Sequence, residues 1–148
     1  MDHAELAERF VAETYPRARI AIVAGSTARE ERTATSDTDL LLIGDPLFDD
    51  PMQASEAATY EFEGEIFEVF AYTPEGFASW ADRGIETHRP VIVHMLVEGI
   101  PIRDDGSLDE LRARWSSPLL ASDIERFAAR VEHELQRAGG RVQAGFVR

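Results

Sequence analysis

The amino-acid sequence predicts an α+β fold, in which a small mixed β-sheet is flanked by helices and followed by a short helical C-terminal segment. Two short apolar runs, "ARIAIVAG" and "TDLLLIG", have the composition of buried strands. The stretch "ATYEFEGEIFEVFAYT" is typical of two strands that turn near Glu63 and Gly64. Both ends of the chain instead carry apolar residues at helical spacing. We therefore expect one compact α/β part with a helical end.

The N-terminal segment is predicted to be a helix over Asp2–Thr14, because Leu6 and Phe10 recur at helical spacing. Asp2 is a suitable N-cap for this helix. Pro16 follows it closely, and the residue before a proline is biased away from helical conformation. The first predicted strand, "ARIAIVAG", comes next.

A second group of elements follows the predicted hairpin. Thr73 and Pro74 suit the N-cap and first position of a helix that we expect to continue through Trp80. The stretch "RPVIVHMLVEG" predicts another helix, which ends at Gly99. A short strand, "IPIRD", is expected at the edge of the sheet because Pro101 has no N–H to donate to a neighbouring strand.

The C-terminal part of the chain, from Ser107 onward, is predicted to be helical in two stretches, "SLDELRARW" and Ser122–Ala138. Four apolar residues of the second stretch share one side of the helix: Ile124, Phe127, Val131 and Leu135. We therefore divide the chain into a domain at residues 1–103 and a helical segment at residues 104–148. That segment is also consistent with the beginning of a larger helical domain.

Composition limits the classes of partner. The 148 residues suit one domain that buries roughly two thirds of its unfolded surface. Cysteine is absent, which excludes disulfides and thiolate metal sites. The formal net charge of −13 disfavours nucleic acid and favours a cationic or neutral small molecule, or a protein, as partner. No apolar run approaches the ~20 residues of a membrane span, and no basic leader precedes one, so we expect a cytoplasmic protein without a membrane partner.

Two aspartates stand one residue apart at the head of "DTDLLLI". Because side chains alternate along a strand, Asp37 and Asp39 are expected on one side of the sheet and Thr38 on the other. Two carboxylates held in this way repel each other, and a divalent cation would relieve the repulsion. Mg²⁺ prefers such oxygen ligands and completes its shell with water and phosphate oxygens. The spacing therefore predicts a magnesium site.

Two further features suggest the rest of this site. Gly25 and Ser26 follow the first predicted strand, where a glycine allows close approach of a phosphate and a hydroxyl can donate to it. Glu68 stands between two apolar residues of a later strand, where a charge is costly unless it meets a cation. Glu68 is therefore the candidate for a third carboxylate.

This arrangement resembles the nucleotidyltransferase superfamily, which includes DNA polymerase beta, the aminoglycoside nucleotidyltransferases and the minimal nucleotidyltransferases. The residues that carry the resemblance are Gly25, Ser26, Asp37, Asp39 and Glu68. The resemblance covers about residues 1–103, which are thus expected to form a nucleotidyltransferase domain. Two positions depart from the usual pattern of the family. Glu30 stands where a glycine is common, and Glu68 stands where an aspartate is more usual.

The resemblance implies transfer of a nucleoside monophosphate, foremost AMP from ATP, to a hydroxyl of a small acceptor with release of pyrophosphate. Asp37, Asp39 and Glu68 would be catalytic and would hold two Mg²⁺ ions, which in such sites lie ~3.5 to 4 Å apart. Glu68 would also accept the proton of the acceptor hydroxyl. The nucleoside triphosphate would be bound by Gly25, Ser26, Thr27 and Arg29.

Three functional hypotheses remain open from the sequence. The first is an enzyme that modifies a small cationic or neutral acceptor. The second is a minimal nucleotidyltransferase that acts as an antitoxin and modifies or binds a toxin protein. The third is a binding module that has kept the fold and lost the chemistry. A protein partner or a homodimer is compatible with each of them.

Overall fold

The structure, a computed structural model, describes residues 3–24 and 37–142, with side chains described through residue 136. Four consecutive strands follow the first helix, two helices and a fifth strand come next, and a long helix ends the series, so the predicted α+β class is confirmed. No helix in these described ranges is long and apolar enough to cross a membrane. The elements in chain order are α1 (His3–Thr14), β1 (Ile20–Ala24), β2 (Thr38–Ile43), β3 (Ser55–Phe62), β4 (Glu65–Tyr72), α2 (Pro74–Glu86), α3 (Val91–Glu98), β5 (Ile100–Arg103) and α4 (Leu108–Val142).

The five strands form one mixed sheet in the order β3-β4-β2-β1-β5. β2 runs parallel to β4, whereas the other neighbouring strands are antiparallel. β5 lies at one edge, as its proline predicts. The predicted hairpin joins β3 to β4 through Glu63 and Gly64, which have φ angles of 50° and 85°. Positive φ at both central residues is typical of the turn that matches the twist of a hairpin.

Two apolar cores cover the two faces of the sheet because side chains alternate along each strand. Leu40 and Leu42 of β2 pack against α1 on one face. Leu41 and Ile43 pack on the other face, under α2, α3 and the first part of α4. Asp39 shares the second face, since it is two residues before Leu41. The sheet thus places this acid on the side that the later helices cover.

α2 begins as predicted but is longer than predicted. The Thr73 hydroxyl accepts a hydrogen bond from the Gly76 N–H at 3.2 Å, and Pro74 is the first helical residue. The helix then continues six residues past Trp80, because Phe77 and Ala81 bury one side of it against the core. Tertiary packing therefore sets its length.

α4 is one continuous helix of 35 residues, where the sequence predicted two helical stretches, the second of them ending at Ala138. Pro118 lies inside it and removes one intrahelical hydrogen bond. Trp115 and Leu119, on either side of that proline, are both buried against the core. Their packing holds the helix together across the position where the local sequence favours a break.

Phe10 is the central aromatic residue beneath α1, and its replacement by alanine should destabilise the protein. Its side chain is 1% exposed and stacks on the Phe67 ring, with centroids 4.6 Å apart. We expect Phe10→Ala to lower the free energy of unfolding by about 3–5 kcal/mol, because it leaves a cavity in a packed core. Met52→Ala, at a side chain 87% exposed, is the control and should change little. Urea unfolding of both variants checks this, and equal losses would contradict the packing described.

Candidate active site

Asp39 and Glu68 stand side by side on the two parallel strands β2 and β4. They are paired in register, and Asp39 is also paired with Ala24, the last residue of β1. Both acidic side chains are half-buried. Together they line a cavity of about 600 Å³ between the sheet and the later helices. The structure thus brings together two acids that are 29 residues apart in the sequence.

The carboxylate of Asp39 is in an unfavourable electrostatic environment. Burial raises the pKa of Asp39 above its ordinary value, and the neighbouring carboxylates of Glu68 and Asp37 raise the same pKa further. Among the ion pairs of the described residues, none involves Asp39 or Glu68. The site therefore concentrates negative charge that a bound cation would offset.

The residues before Asp39 fix its orientation. Thr38 is fully buried on the opposite face of the sheet, where its hydroxyl lies 2.8 Å from the His3 Nε2 and donates to the Glu65 Oε2 at 2.8 Å. Asp37 is exposed just before β2 and adds to the field at Asp39. These bonds hold Thr38 away from the cavity and leave Asp39 facing it.

Four of the predicted site residues lie outside the described ranges: Gly25, Ser26, Thr27 and Arg29. Their role in binding a triphosphate stays a prediction. Ala24, which precedes them in the chain, lines the same cavity as Asp39 and Glu68.

The walls of the cavity opposite the sheet come from α3, the two residues just before it and α4. They add two arginines, Arg89 and Arg126, together with His94 and Glu98. The His94 ring makes two polar contacts, with the Glu98 carboxylate at 3.4 Å from Nδ1 and the Asp123 carboxylate at 3.2 Å from Nε2. The sequence favours a simple packing role for His94, and its i,i+4 spacing from Glu98 is the one local sign of these contacts. For the two arginines the sequence offers no such sign.

The donor set fits a hard divalent cation such as Mg²⁺. Asp39 and Glu68 offer hard oxygen ligands, which Mg²⁺ prefers, and Mg²⁺ commonly takes one or two carboxylates with phosphate oxygens and water. Within the part of the chain that the structure describes, no three histidine, aspartate or glutamate side chains converge to hold a metal ion by themselves. The two carboxylates thus fit an ion that takes the rest of its ligands from outside the described residues.

Comparison with known proteins finds a solved structure with a similar fold. No protein-family model matches the sequence, and no curated protein matches it. Among solved structures, a nucleotidyltransferase-like protein from Exiguobacterium sibiricum 255-15 is similar, with 19% sequence identity and a TM-score of 0.55. The match covers 76% of this chain and 38% of that protein, so this chain spans well under half of its length. The resemblance that the sequence predicted is confirmed for the fold: the chain has a nucleotidyltransferase-like fold.

Proposed function

We propose that the protein is a metal-dependent nucleotidyltransferase. It transfers a nucleoside monophosphate, AMP from ATP in the favoured case, to a hydroxyl of a small cationic or neutral acceptor and releases pyrophosphate. The observation that carries this proposal is the pair Asp39 and Glu68, which are half-buried, in register and without a cationic partner among the described residues. The nucleotidyltransferase-like fold supports the same class of chemistry.

The three acids have distinct parts in this proposal. Asp37, Asp39 and Glu68 would hold Mg²⁺, which would neutralise charge on the phosphate oxygens during an in-line displacement. The acceptor oxygen forms a bond to the α-phosphorus, and the bond from that phosphorus to the pyrophosphate oxygen breaks. Glu68 takes the proton of the acceptor hydroxyl on its carboxylate. Most of the rate enhancement then comes from positioning and charge neutralisation.

The charges around the cavity suit both substrates. Arg89 and Arg126 add positive charge to the wall opposite the acids, which favours the anionic phosphates of a nucleotide. Glu98 adds a carboxylate to that wall, which favours a cationic group on the acceptor. The formal net charge of −13 for the whole chain draws cations towards it at low ionic strength.

Magnesium should stabilise the wild-type protein through Asp39. A ligand that binds only the folded state raises the melting temperature, and the effect grows with its concentration. We expect Mg²⁺ to raise the melting temperature of the wild type and of the control Asp82→Asn, whose acid is exposed on α2. Asp39→Asn should lose the shift and, without metal, melt at or above the wild-type temperature because it removes the carboxylate repulsion. Differential scanning fluorimetry measures these melting temperatures. If Mg²⁺ raised the melting temperature of Asp39→Asn as much as that of the wild type, Asp39 would not be a metal ligand.

Nucleotide binding should require both metal and the two aspartates. We would titrate ATP, GTP, CTP and UTP into the protein by calorimetry, with and without Mg²⁺. The wild type should bind at least one nucleotide with Mg²⁺ and bind it much more weakly without Mg²⁺. The variant with both Asp37→Asn and Asp39→Asn should lose the Mg²⁺-dependent part, and a variant that keeps it would contradict the role of these acids.

Removal of Glu68 tests whether it is the third acid of the site. We expect Glu68→Ala to slow transfer by about 10²–10⁴-fold, the usual contribution of a positioned general base. Glu61→Ala, at an exposed acid of β3, should leave the rate unchanged. Release of pyrophosphate from the nucleotide that binds, measured against a panel of amino-sugar and other hydroxyl acceptors, gives both rates. An unaffected rate in Glu68→Ala would place the third acid elsewhere.

A further inference from the structure

The second half of α4 projects from the body of the protein. Leu108, Trp115, Leu119 and Ser122 are buried against the core, and they mark the side of the helix that packs on it. Beyond Asp123 every described side chain, from Ile124 to Gln136, is exposed. A helix of this length is marginal in water when nothing packs against it. Glu125 and Arg126 still contact His88, so the projecting segment is Phe127–Gln136, which would gain stability from a partner that covers it.

The face of α4 turned away from the core carries an apolar stripe. Its members are Leu120, Ile124, Phe127, Val131 and Leu135, and each is between 37% and 64% exposed. At about 100° per residue they fall within an arc of roughly 80°. The same geometry places Ser122 and Trp115 on the opposite side of the helix. The stripe thus begins above the packed part of α4 and continues along the whole projecting segment.

We infer that the stripe pairs with the same stripe of a second copy of this chain, with the two helices antiparallel. Four members are spaced by four, three and four residues, which is the spacing of a coiled-coil seam. The order four, three, four is the same from either end of the helix, so it also fits an antiparallel partner. An antiparallel copy centred between Ile124 and Phe127 therefore sets Leu120 against Val131 and Ile124 against Phe127, and each contact occurs twice.

Charge and size along the seam agree with this arrangement. Asp123 and Arg130 flank the stripe on the same side at equivalent positions, seven residues apart. A two-fold axis relates the two copies of such an antiparallel pair. It brings Asp123 of one copy near Arg130 of the other, so opposite charges meet at both ends of the seam. Asp123 contacts His94 through Oδ1 and keeps its second oxygen for such a pair. Ala121 and Ala128 border the other side, where their small side chains allow close approach.

The area is sufficient for a specific dimer. Five apolar side chains with these exposures leave roughly 500 Å² of surface on each copy, as large as the biggest apolar patches of typical monomers. Two copies would bury on the order of 1,000 Å² from the stripe alone, which is near the lower limit for a biological interface. We therefore expect a dimer that dissociates on dilution.

Sedimentation velocity over a range of concentrations tests the pairing. The wild type should shift from the mass of one chain to twice that mass as concentration rises to about 100 μM. Phe127→Asp should stay at the mass of one chain, while Ala129→Asp, which adds the same charge on the other side of α4, should still dimerise. Both sites are exposed on the helix, so circular dichroism should show folded protein in each case. A wild type that stays a monomer overturns the inference, as would a Phe127→Asp dimer.

Cysteine cross-linking tests the antiparallel direction, since the chain has no cysteine of its own. Leu120→Cys and Val131→Cys, each made singly and then mixed under mild oxidation, should form a disulfide between the two variants. Neither variant alone should form a disulfide between its two copies. In the antiparallel pair the two copies of the same position lie 11 residues apart along the helix, about 16 Å, which is too far for a disulfide. Efficient cross-linking of Leu120→Cys with itself would indicate a parallel pair and overturn the proposed arrangement. Neither experiment depends on nucleotide or metal, so its outcome is independent of the proposed activity.

Discussion

The parallel pairing of β2 with β4 is the constraint on which the rest of the structure depends. It joins the hairpin of β3 and β4 to the antiparallel strands β2, β1 and β5 and so makes one sheet from two units. It also sets Asp39 opposite Glu68. A shift of one residue in this register would turn Glu68 to the other face of the sheet, among the apolar residues that pack under α1. The core and the candidate site therefore share the same register.

This arrangement has an electrostatic cost. Asp39 is half-buried beside a second carboxylate, and its raised pKa shows that the charged form is disfavoured in the folded protein. The two cores on the faces of the sheet, both rich in aromatic and aliphatic contacts, offset that cost. Groups held in an unfavourable charge state within a cavity are common at functional sites, because a ligand of opposite charge then gains from binding there.

α4 contributes to the molecule in two ways along its length. The part of the helix up to Arg126 completes the core through Trp115 and Leu119 and brings Arg126 to the wall of the cavity. Beyond Arg126 the helix continues outward with an apolar side that nothing in the described part of the chain covers. If two copies pair there, the seam passes beside Asp123, the residue that contacts His94 in the cavity wall. The proposed interface and the candidate site then lie on the same helix, a few residues apart.

The sequence by itself was enough to predict the α+β class, most of the elements and the two acids, Asp39 and Glu68, that the structure brings together. The alternation of side chains along a strand predicted which face of the sheet Asp39 lies on, and the cost of a charge within an apolar strand singled out Glu68. Both arguments need only the neighbouring residues in the sequence. Tertiary structure alone decided that α2 extends to Glu86, that α4 continues through Pro118, and that Arg89, His94 and Arg126 face the same cavity as the acids. Those features depend on which distant surfaces pack together, and local propensity and periodicity carry no information about that choice.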